Sequence, residues 1–506
     1  MTTILVLPHQ LFKPATYLAL AQKHAADTFL IFEDPVFYGD RNGQAGVDQL
    51  KLNKLRIAYQ KMLVWQFKRD LTSAAEPFGL SIKYEAVEEL AGKSEAARYQ
   101  PLKTPKKLIS FEVCDLLFTE RLKNAGVGLY QEDSPMWLAS RGDIDEFLKE
   151  TNFHSKPKVL LRMAPWYNFM KSKLKILQKT PSLDTLNRES YPADAPSPPS
   201  PYVTVSKSDL PAKAAEWLET SQYKSNPGPE NKKIVHELAR LPANHTEASD
   251  WLKKFIAERF RLFGPFEDAI VPGQPWMYHS GLSIFMNFGL VTPKEVVNAI
   301  REYYEALPAS SKKTELPSYE GFIRQMLGWR ELCRVYYLNV PLAVCRKNVF
   351  NLKGKLGTEW YDWTTKSKNV LPPVVYDAVK DGWELGYLHH IRRLMVVSNY
   401  MNISGISPDE AYKWLYEFAL DGWDWAMRLN VYGMGSWSDG GVSLRKPYVS
   451  SSGYIEKMTP KQGKKQKEAG LESGKWQDDW NKRFRSFIDD HADVIKHTEL
   501  ARFLKK

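Results

Sequence analysis

The chain has little cysteine. Cys114, Cys333 and Cys345 are the only three among 506 residues, and no CxxC pair occurs. An odd number of widely spaced thiols builds neither a disulfide framework nor a four-thiolate metal site within one chain. We therefore predict a reducing compartment, the cytoplasm, and no metal.

Long apolar runs are also missing. No window offers the roughly 20 uninterrupted apolar residues that a membrane span needs, and the start, MTTILVLPHQLF, has only a short apolar run without a basic region before it. A secretory signal peptide has both. We therefore expect neither secretion nor membrane insertion. Walker A loops, GxGxxG fingerprints and GxSxG elbows do not occur, which removes the commonest nucleotide-binding and hydrolase motifs.

Positive charge is in excess. Lys and Arg number 70 against 59 Asp and Glu, a formal net charge of +11. That balance favours an anionic partner such as a nucleic acid. The length predicts two or more domains, and a composition of 43% hydrophobic and 25% charged residues is ordinary for a soluble globular protein.

The first part of the chain alternates between strand and helix patterns. Short apolar runs occur at Ile4–Leu7, Phe29–Phe32, Leu80–Tyr84 and Leu108–Val113, and helical periodicity separates them, most clearly over Leu50–Leu71. This alternation predicts a parallel sheet with crossover helices. We assign residues 1–150 to an α/β domain.

The remainder divides into a linker and a helical region. The proline-rich stretch YPADAPSPPSPY, Tyr191–Tyr202, favours extended backbone, and we assign residues 151–230 to an interdomain linker. Beyond it apolar residues recur at helical spacing. Residues 231–506 therefore form an almost wholly α-helical domain in our prediction, with a solvated lysine-rich loop at Thr459–Lys475.

Aromatic residues make up 13% of the chain, and many tryptophans fall in the helical half. Any one of them could simply fill the core. As a group near Arg324, Arg330 and Arg393 they suit either a base-stacking surface or a flavin pocket, since both need aromatic planes beside positive charge.

Three short motifs carry further signals. In YLHHIRRLM, His390 and Arg393 share a helix face, and a histidine near its ordinary pKa of about 6.5 can exchange protons at neutral pH; a surface histidine is the plain alternative. In GFIRQMLGWRE, two glycines, Gly321 and Gly328, indicate close approach to the backbone, because each costs roughly 1 kcal/mol in a helix. In YHSGLS, hydroxyls could hold a phosphate or merely cap a helix.

These segments together resemble the cryptochrome/photolyase family, most closely its prokaryotic branch of iron–sulfur bacterial cryptochromes and (6-4) photolyases. The resemblance spans nearly the whole chain, and its most specific pieces are EGFIRQMLGWRE at Glu320–Glu331, HSGLSIFMNFGL at His279–Leu290, YLHHIRRLMV at Tyr387–Val396, and NVYGMGSWSDGG followed by KPY at Asn430–Tyr448. It implies an α/β antenna domain, a long linker and an all-α C-terminal domain that binds FAD and DNA.

The resemblance also implies roles for individual residues. Those expected to bind FAD are His279, Ser280, Leu282, Ser283, Arg393, Asp421 and Asn430. His279, Ser280 and Ser283 would lie near the FAD phosphates. Arg393 and Asp421 would form an ion pair beside the isoalloxazine ring, where a cation favours the anionic reduced flavin.

The remaining carried-over residues concern repair. His390 matches the family's lesion-facing histidine, which protonates the photoproduct, and Tyr448 and Trp329 would hold a flipped dinucleotide at the mouth of the pocket. Trp363 and Trp414 match tryptophans that relay electrons to FAD. Arg324 and Arg330 would join Trp329 in binding DNA.

Several positions depart from the branch. Its four-iron four-sulfur cluster needs thiolates, but the corresponding places include Val374, Gln462 and Lys465, so we expect no iron–sulfur cluster. An acidic residue near the flavin is Met427 here, and a tyrosine after the relay tryptophan is Leu415. Both departures bear on photoreduction and repair.

The resemblance predicts a light-driven (6-4) photolyase that acts on ultraviolet-damaged DNA as a monomer, by electron transfer from FADH⁻. A cryptochrome photoreceptor without repair activity is the alternative, which Met427 favours. A flavin-free DNA-binding module is the third. The branch's ribityllumazine antenna would lie near Phe32–Phe37, where the spacing of this sequence differs, so its presence is left open.

Overall fold

The computed structural model describes residues 2–47, 49–153, 160–192, 197–203, 208–364, 366–460 and 474–504. The chain forms two compact units. The first comprises Met1–Ser140, Tyr202–Lys253 and Leu282–Val296, and the second comprises Arg141–Pro201, Lys254–Gly281 and Val297–Lys506. The predicted division into domains at residues 150 and 230 stays a prediction about which parts fold independently.

The first unit contains a five-stranded parallel sheet in the order β3-β2-β1-β4-β5. The strands are β1 (Thr2–Val6), β2 (Thr28–Phe32), β3 (Ser81–Glu85), β4 (Lys107–Phe111) and β5 (Tyr130–Glu132). The central strands are almost entirely buried because parallel sheets are covered on both faces. The predicted parallel sheet is therefore confirmed, and the short polar β5 is an addition.

The rest of the described chain is largely helical, as predicted. The helices of eight or more residues are Pro14–His24, Lys54–Ala75, Leu116–Asn124, Arg141–Glu150, Met163–Leu174, Leu210–Thr220, Asn231–Leu238, His245–Glu258, Pro293–Ala306, Ala309–Ile323, Glu331–Asn339, Pro373–Leu385, Pro408–Phe418 and Lys475–Asp490. Shorter helical turns connect several of them. No helix in the part of the chain that the structure describes has both the length and the apolarity to cross a membrane.

Three segments of the second unit are π-helical: Arg324–Arg330, Arg392–Ser398 and Arg428–Gly435. π-Helical turns are rare and occur frequently at functional sites. Each of these three overlaps one of the motifs described in the sequence, and the second packs against the third. These motifs therefore share π-helical turns, which the sequence pattern did not predict.

The glycines of GFIRQMLGWRE are approached by the protein itself. A Cβ atom on Gly321 would lie 2.5 Å from Nδ2 of Asn187, and one on Gly328 would lie 3.0 Å from Sδ of Met163. The Asn187 amide is fixed there because it donates to the carbonyl of Pro317 at 3.0 Å. The close approach inferred from these glycines is real, and its partners are side chains of the same unit.

Candidate functional site

A buried ion pair lies at the centre of the candidate site in the second unit. Nη2 of Arg393 lies 2.9 Å from Oδ1 of Asp421, and Nε of Arg393 donates to the carbonyl of Leu388 at 2.6 Å. The rings of Tyr387 and Phe418 lie 5.9 and 5.5 Å from the guanidinium carbon. Arg393 and Asp421, which the family resemblance paired, therefore do form an ion pair. Two aromatic rings and a main-chain carbonyl contact the arginine.

Three histidines lie beside this pair. The rings of His279 and His389 stack at 4.5 Å with an interplanar angle of 11°. Nε2 of His279 donates to the carbonyl of Glu267 at 3.1 Å, which leaves Nδ1 as an acceptor. Burial lowers the pKa of His279 to about 3 and that of His389 well below its ordinary value. Both rings are therefore neutral at physiological pH.

His390 differs from its neighbour. Its side chain is exposed, yet loss of solvation by the surrounding protein, helped by the charge of Arg393, lowers its pKa to about 4. Of the two adjacent histidines, His390 is thus the one that can meet a ligand.

Arg259 also belongs to the site, and sequence reasoning missed it. Its Nη1 donates to the carbonyl of His279 at 2.5 Å, and the side chain is 1% exposed. Among the residues that the structure describes, Nε and Nη2 find no hydrogen-bond partner, and neither do the ring nitrogens of His389. Desolvation lowers the pKa of Arg259 to about 10. Arg259 lies in the turn after the helix His245–Glu258 and belongs to none of the motifs in the sequence.

A row of aromatic rings leads away from Arg393. Phe418 lies 4.7 Å from Trp414, Trp414 lies 6.3 Å from Trp383, and Trp383 stacks on Trp363 at 5.8 Å and 13°. The predicted relay residues Trp414 and Trp363 are therefore joined by Trp383, to which we assigned no role in the sequence. The indole N–H groups of Trp383 and Trp414 both donate to the carbonyl of Trp360, at 2.8 and 2.9 Å.

The other residues predicted to bind FAD are more scattered. Ser280 is half-buried in the second unit. Leu282 and Ser283 belong to the first unit, where Leu282 is buried and Ser283 begins the four-residue helix Ser283–Met286. Such a short helix has little dipole to offer a phosphate. Asn430 donates to the carbonyl of Ala426 at 2.8 Å. Their FAD contacts stay predictions.

The two arginines predicted to bind DNA are already matched by carboxylates or rings. Arg324 is 4% exposed, and its Nη2 lies 2.7 Å from Asp184 and 3.6 Å from Glu267. The guanidinium of Arg330 lies 5.0 Å over the ring of Trp425. Trp329 is half-buried. The DNA contacts of these residues stay predictions, and here the arginine charges are engaged within the protein.

Tyr448 lies beside a cluster of charged groups. It is half-buried, burial raises its pKa, and the charges that act on it include Arg188, Asp184 and Asp268. Arg188 bonds to Asp184, and Nε of Arg188 lies 3.9 Å from Asp268. The predicted role of Tyr448 at the mouth of a lesion pocket is not tested by these contacts.

The positions that depart from the family are apolar and buried. Met427, Leu415 and Val374 are each 3% exposed, while Gln462 and Lys465 lie outside the described residues. The three cysteines are buried. Within the described ranges, no group of three or more His, Cys, Asp or Glu side chains could hold a metal ion.

Comparison with known proteins places this geometry in context. The family model described as deoxyribodipyrimidine photo-lyase-related protein matches residues 4–233. A (6-4) photolyase of Agrobacterium fabrum is 35% identical over 217 residues, which is 42% of this chain and 40% of that protein. An uncharacterized protein of Acanthamoeba polyphaga mimivirus is 39% identical over 102 residues, 20% of this chain and 76% of that protein.

Two solved structures share the fold along nearly the whole chain. A bacterial class III photolyase from Agrobacterium tumefaciens has a TM-score of 0.56 at 14% identity, covering 98% of both chains. A Synechocystis cryptochrome has a TM-score of 0.58 at 13% identity, covering 98% of this chain and 99% of that one. The chain has the fold of these photolyase and cryptochrome structures, and its residues 4–233 match the photo-lyase-related family.

Proposed function

We propose that this protein is a FAD-dependent (6-4) photolyase, which reverses pyrimidine (6-4) pyrimidone photoproducts in DNA with light. The observation that carries the proposal is a cationic cluster of Arg259 and Arg393 beside the accessible His390, joined by a row of aromatic rings to Trp363. The matched (6-4) photolyase supports the lesion type, although the alignment spans 40% of its length.

The residues present fit a bound FAD. Arg259 and His389 each keep two buried nitrogen atoms that no group in the described part of the chain hydrogen-bonds. Leaving one such group unsatisfied costs about 1–3 kcal/mol, so a polar ligand that bonded to them would be stabilised. Among the described residues Arg393 forms an ion pair with Asp421, and Arg259 is acted on by the charge of Glu258 but forms no ion pair within 4 Å. A desolvated arginine of this kind favours an anionic cofactor.

FAD bound here would supply the light-driven electron donor. Arg393 favours a negative charge next to it, and Asp421 and the Leu388 carbonyl hold the guanidinium in one orientation. Arg259, His279 and Ser280 would hold the cofactor's polar groups. Trp363, Trp383 and Trp414 would carry electrons inward from the surface.

His390 would supply the proton in repair. Its low pKa keeps it neutral at pH 7 in the free protein, so it would become a proton donor only when negative charge from cofactor and DNA raises that pKa. His390 would therefore donate a proton only in the complex with FAD and DNA.

The experiment is anaerobic illumination, with reductant, of the protein and an oligonucleotide that carries one (6-4) photoproduct. Chromatography measures restored thymines, and a dark sample is the control. We expect light-dependent restoration. His390→Ala should retain FAD and lower repair by at least about 100-fold, the usual scale of general acid catalysis, while His236→Ala, a substitution at an exposed histidine, should not. Full repair by His390→Ala would remove the assigned role.

A cryptochrome photoreceptor is the second candidate. Met427 is buried and apolar where the related branch carries an acid, and a Synechocystis cryptochrome shares the fold. FAD binding and photoreduction without thymine restoration would favour this candidate over the photolyase.

A further inference from the structure

The parallel sheet of the first unit has an obvious place for a ligand. Doubly wound sheets bind ligands outside the carboxyl ends of their strands, where the strand order reverses. The order β3-β2-β1-β4-β5 puts this point between β1 and β4, with β2 alongside. The antenna position expected from the sequence, Phe32–Phe37, follows directly from β2, at the same edge.

Side chains of the first unit close the crevice between β1 and β4. Gln10, just after β1, is 1% exposed, and its Nε2 donates to the carbonyls of Phe111 and Glu112 at 3.2 and 2.8 Å. The ring of His9 packs on that of Phe37 at 4.8 Å. A bound ligand would have to displace these contacts.

The residues after β2 leave no space beside them. Between Phe32 and Tyr38, Phe37 is the most exposed of the non-proline residues at 2%, and Phe32, Glu33 and Asp34 are at 0%. A pocket large enough for a ribityllumazine would leave the side chains that line it accessible to water. Phe37 instead packs on Phe118 at 5.2 Å.

The segment that follows folds back over the same edge. The amide of Leu50 donates to the carbonyl of Gly39 at 2.9 Å, and Arg41 between them is fully buried. Its Nη1 lies 2.6 Å from Oδ2 of Asp115, and its Nε donates to Gln44 at 2.8 Å. Asp115 follows β4 and caps the helix Leu116–Asn124, so Arg41 ties the segment to the far side of the crevice.

A second buried ion pair fills the end of β2. Glu33 and Lys61 are both fully buried, with Nζ of Lys61 2.6 Å from Oε2 of Glu33. The Tyr84 hydroxyl donates to the same carboxylate oxygen at 2.6 Å. Removing one partner of such a pair leaves an uncompensated buried charge, so a ligand could not displace Glu33 cheaply.

We propose that this chain fills the antenna position with its own side chains. Gln10, Phe37 and Arg41 occupy the carboxyl edge of the sheet, and no second chromophore binds there. With these contacts in place, the side chains leave no space for a ribityllumazine at this position. The inference concerns the first unit alone and stands whether or not the protein repairs DNA.

The test uses the full wild-type protein. Pigments are released from the purified protein and separated by chromatography, and the protein is then titrated with 6,7-dimethyl-8-ribityllumazine while its fluorescence is followed. Hydrogen exchange of the peptides that cover residues 28–50 is measured with and without this pigment. We expect no second pigment bound to these residues and unchanged exchange.

Pigment bound in a one-to-one ratio, together with slowed exchange over residues 28–50, would overturn the proposal. Binding without any change in that exchange would mean that the pigment sits elsewhere, and the filled position would stand. Any flavin released from the same sample would be detected separately, so a failure to find FAD would count against the proposed function and not against this inference.

Discussion

At the scale of single residues, the candidate site controls charge by burial. His279 and His389 are kept neutral by desolvation, whereas Arg393 forms an ion pair with Asp421. Burial has the same effect on an acidic residue, Glu267, whose main-chain carbonyl orients His279. It raises the pKa of the Glu267 carboxyl to about 8, although Arg324 lies 3.6 Å away. Its side chain is therefore largely protonated at neutral pH.

Glu267 predicts a pH-dependent stability. An unfolded glutamate has a pKa of about 4.3, so between that pH and about 8 only the folded chain holds this proton. Its contribution is complete below about pH 4.3 and is lost as pH rises through about 8. Glu267→Gln, which stays neutral, should lack this loss and be the more stable protein above about pH 8.

Urea unfolding of both proteins below about pH 5 and above about pH 8 measures this difference. Glu305→Gln is the control, because that carboxylate is mostly exposed and should leave the pH slope unchanged. Parallel pH slopes for wild type and Glu267→Gln would show that Glu267 titrates normally.

The residues of the site were predictable to different degrees. Arg393 and Asp421, 28 positions apart, came from matching a known motif, and they do form an ion pair. Arg259 could not be found in this way, because its place beside His279 depends on how the helix His245–Glu258 is followed by a turn. Partnerships that cross elements are set by packing, which a local pattern does not contain.

At the scale of elements, the π-helical segments explain why the motifs looked unusual. An extra residue in a turn shifts every later side chain around the helix axis, so Arg393 and Asn430 do not follow the 3.6-residue period. The periodicity of apolar residues correctly predicted helical structure here, but it could not predict the wider π-helical turns. The parallel strands were easier, since continuous apolar runs are typical of strands buried on both faces.

The aromatic row makes Trp383 a testable element of the site. It lies between Trp363 and Trp414, and phenylalanine is far harder to oxidise than tryptophan. Trp383→Phe should slow photoreduction of the bound flavin by roughly tenfold or more, or about 1.4 kcal/mol in the barrier. Absorbance under blue light measures the rate, after flavin content has been checked.

Trp480→Phe is the matched control, because Trp480 is equally buried but packs on Tyr400 and Trp476, outside the row. It should photoreduce at the wild-type rate. If Trp383→Phe also does so, electrons do not pass through Trp383.

At the scale of the whole molecule, the net charge of +11 predicts binding governed by phosphate contacts. If about five phosphates are neutralised, affinity for duplex DNA should fall by about two to three orders of magnitude over a fourfold rise in salt. Fluorescence anisotropy of labelled damaged and undamaged duplexes measures the slope. A salt-independent affinity would contradict a role for backbone phosphates.

The two compact units also show the limit of reading domains along a sequence. Each unit is assembled from three separate stretches of chain. A composition change such as the proline-rich Tyr191–Tyr202 marks where the chain changes character, but it carries no information about which distant stretches pack together.

The carbonyl of Trp360 anchors two members of the aromatic row through the main chain. Both Trp383 and Trp414 donate to it, and the acceptor belongs to the main chain. A substitution at residue 360 changes the side chain and leaves that acceptor in place. A substitution there therefore changes the local packing but leaves both indoles a common acceptor, whereas replacing either indole removes one of the two bonds.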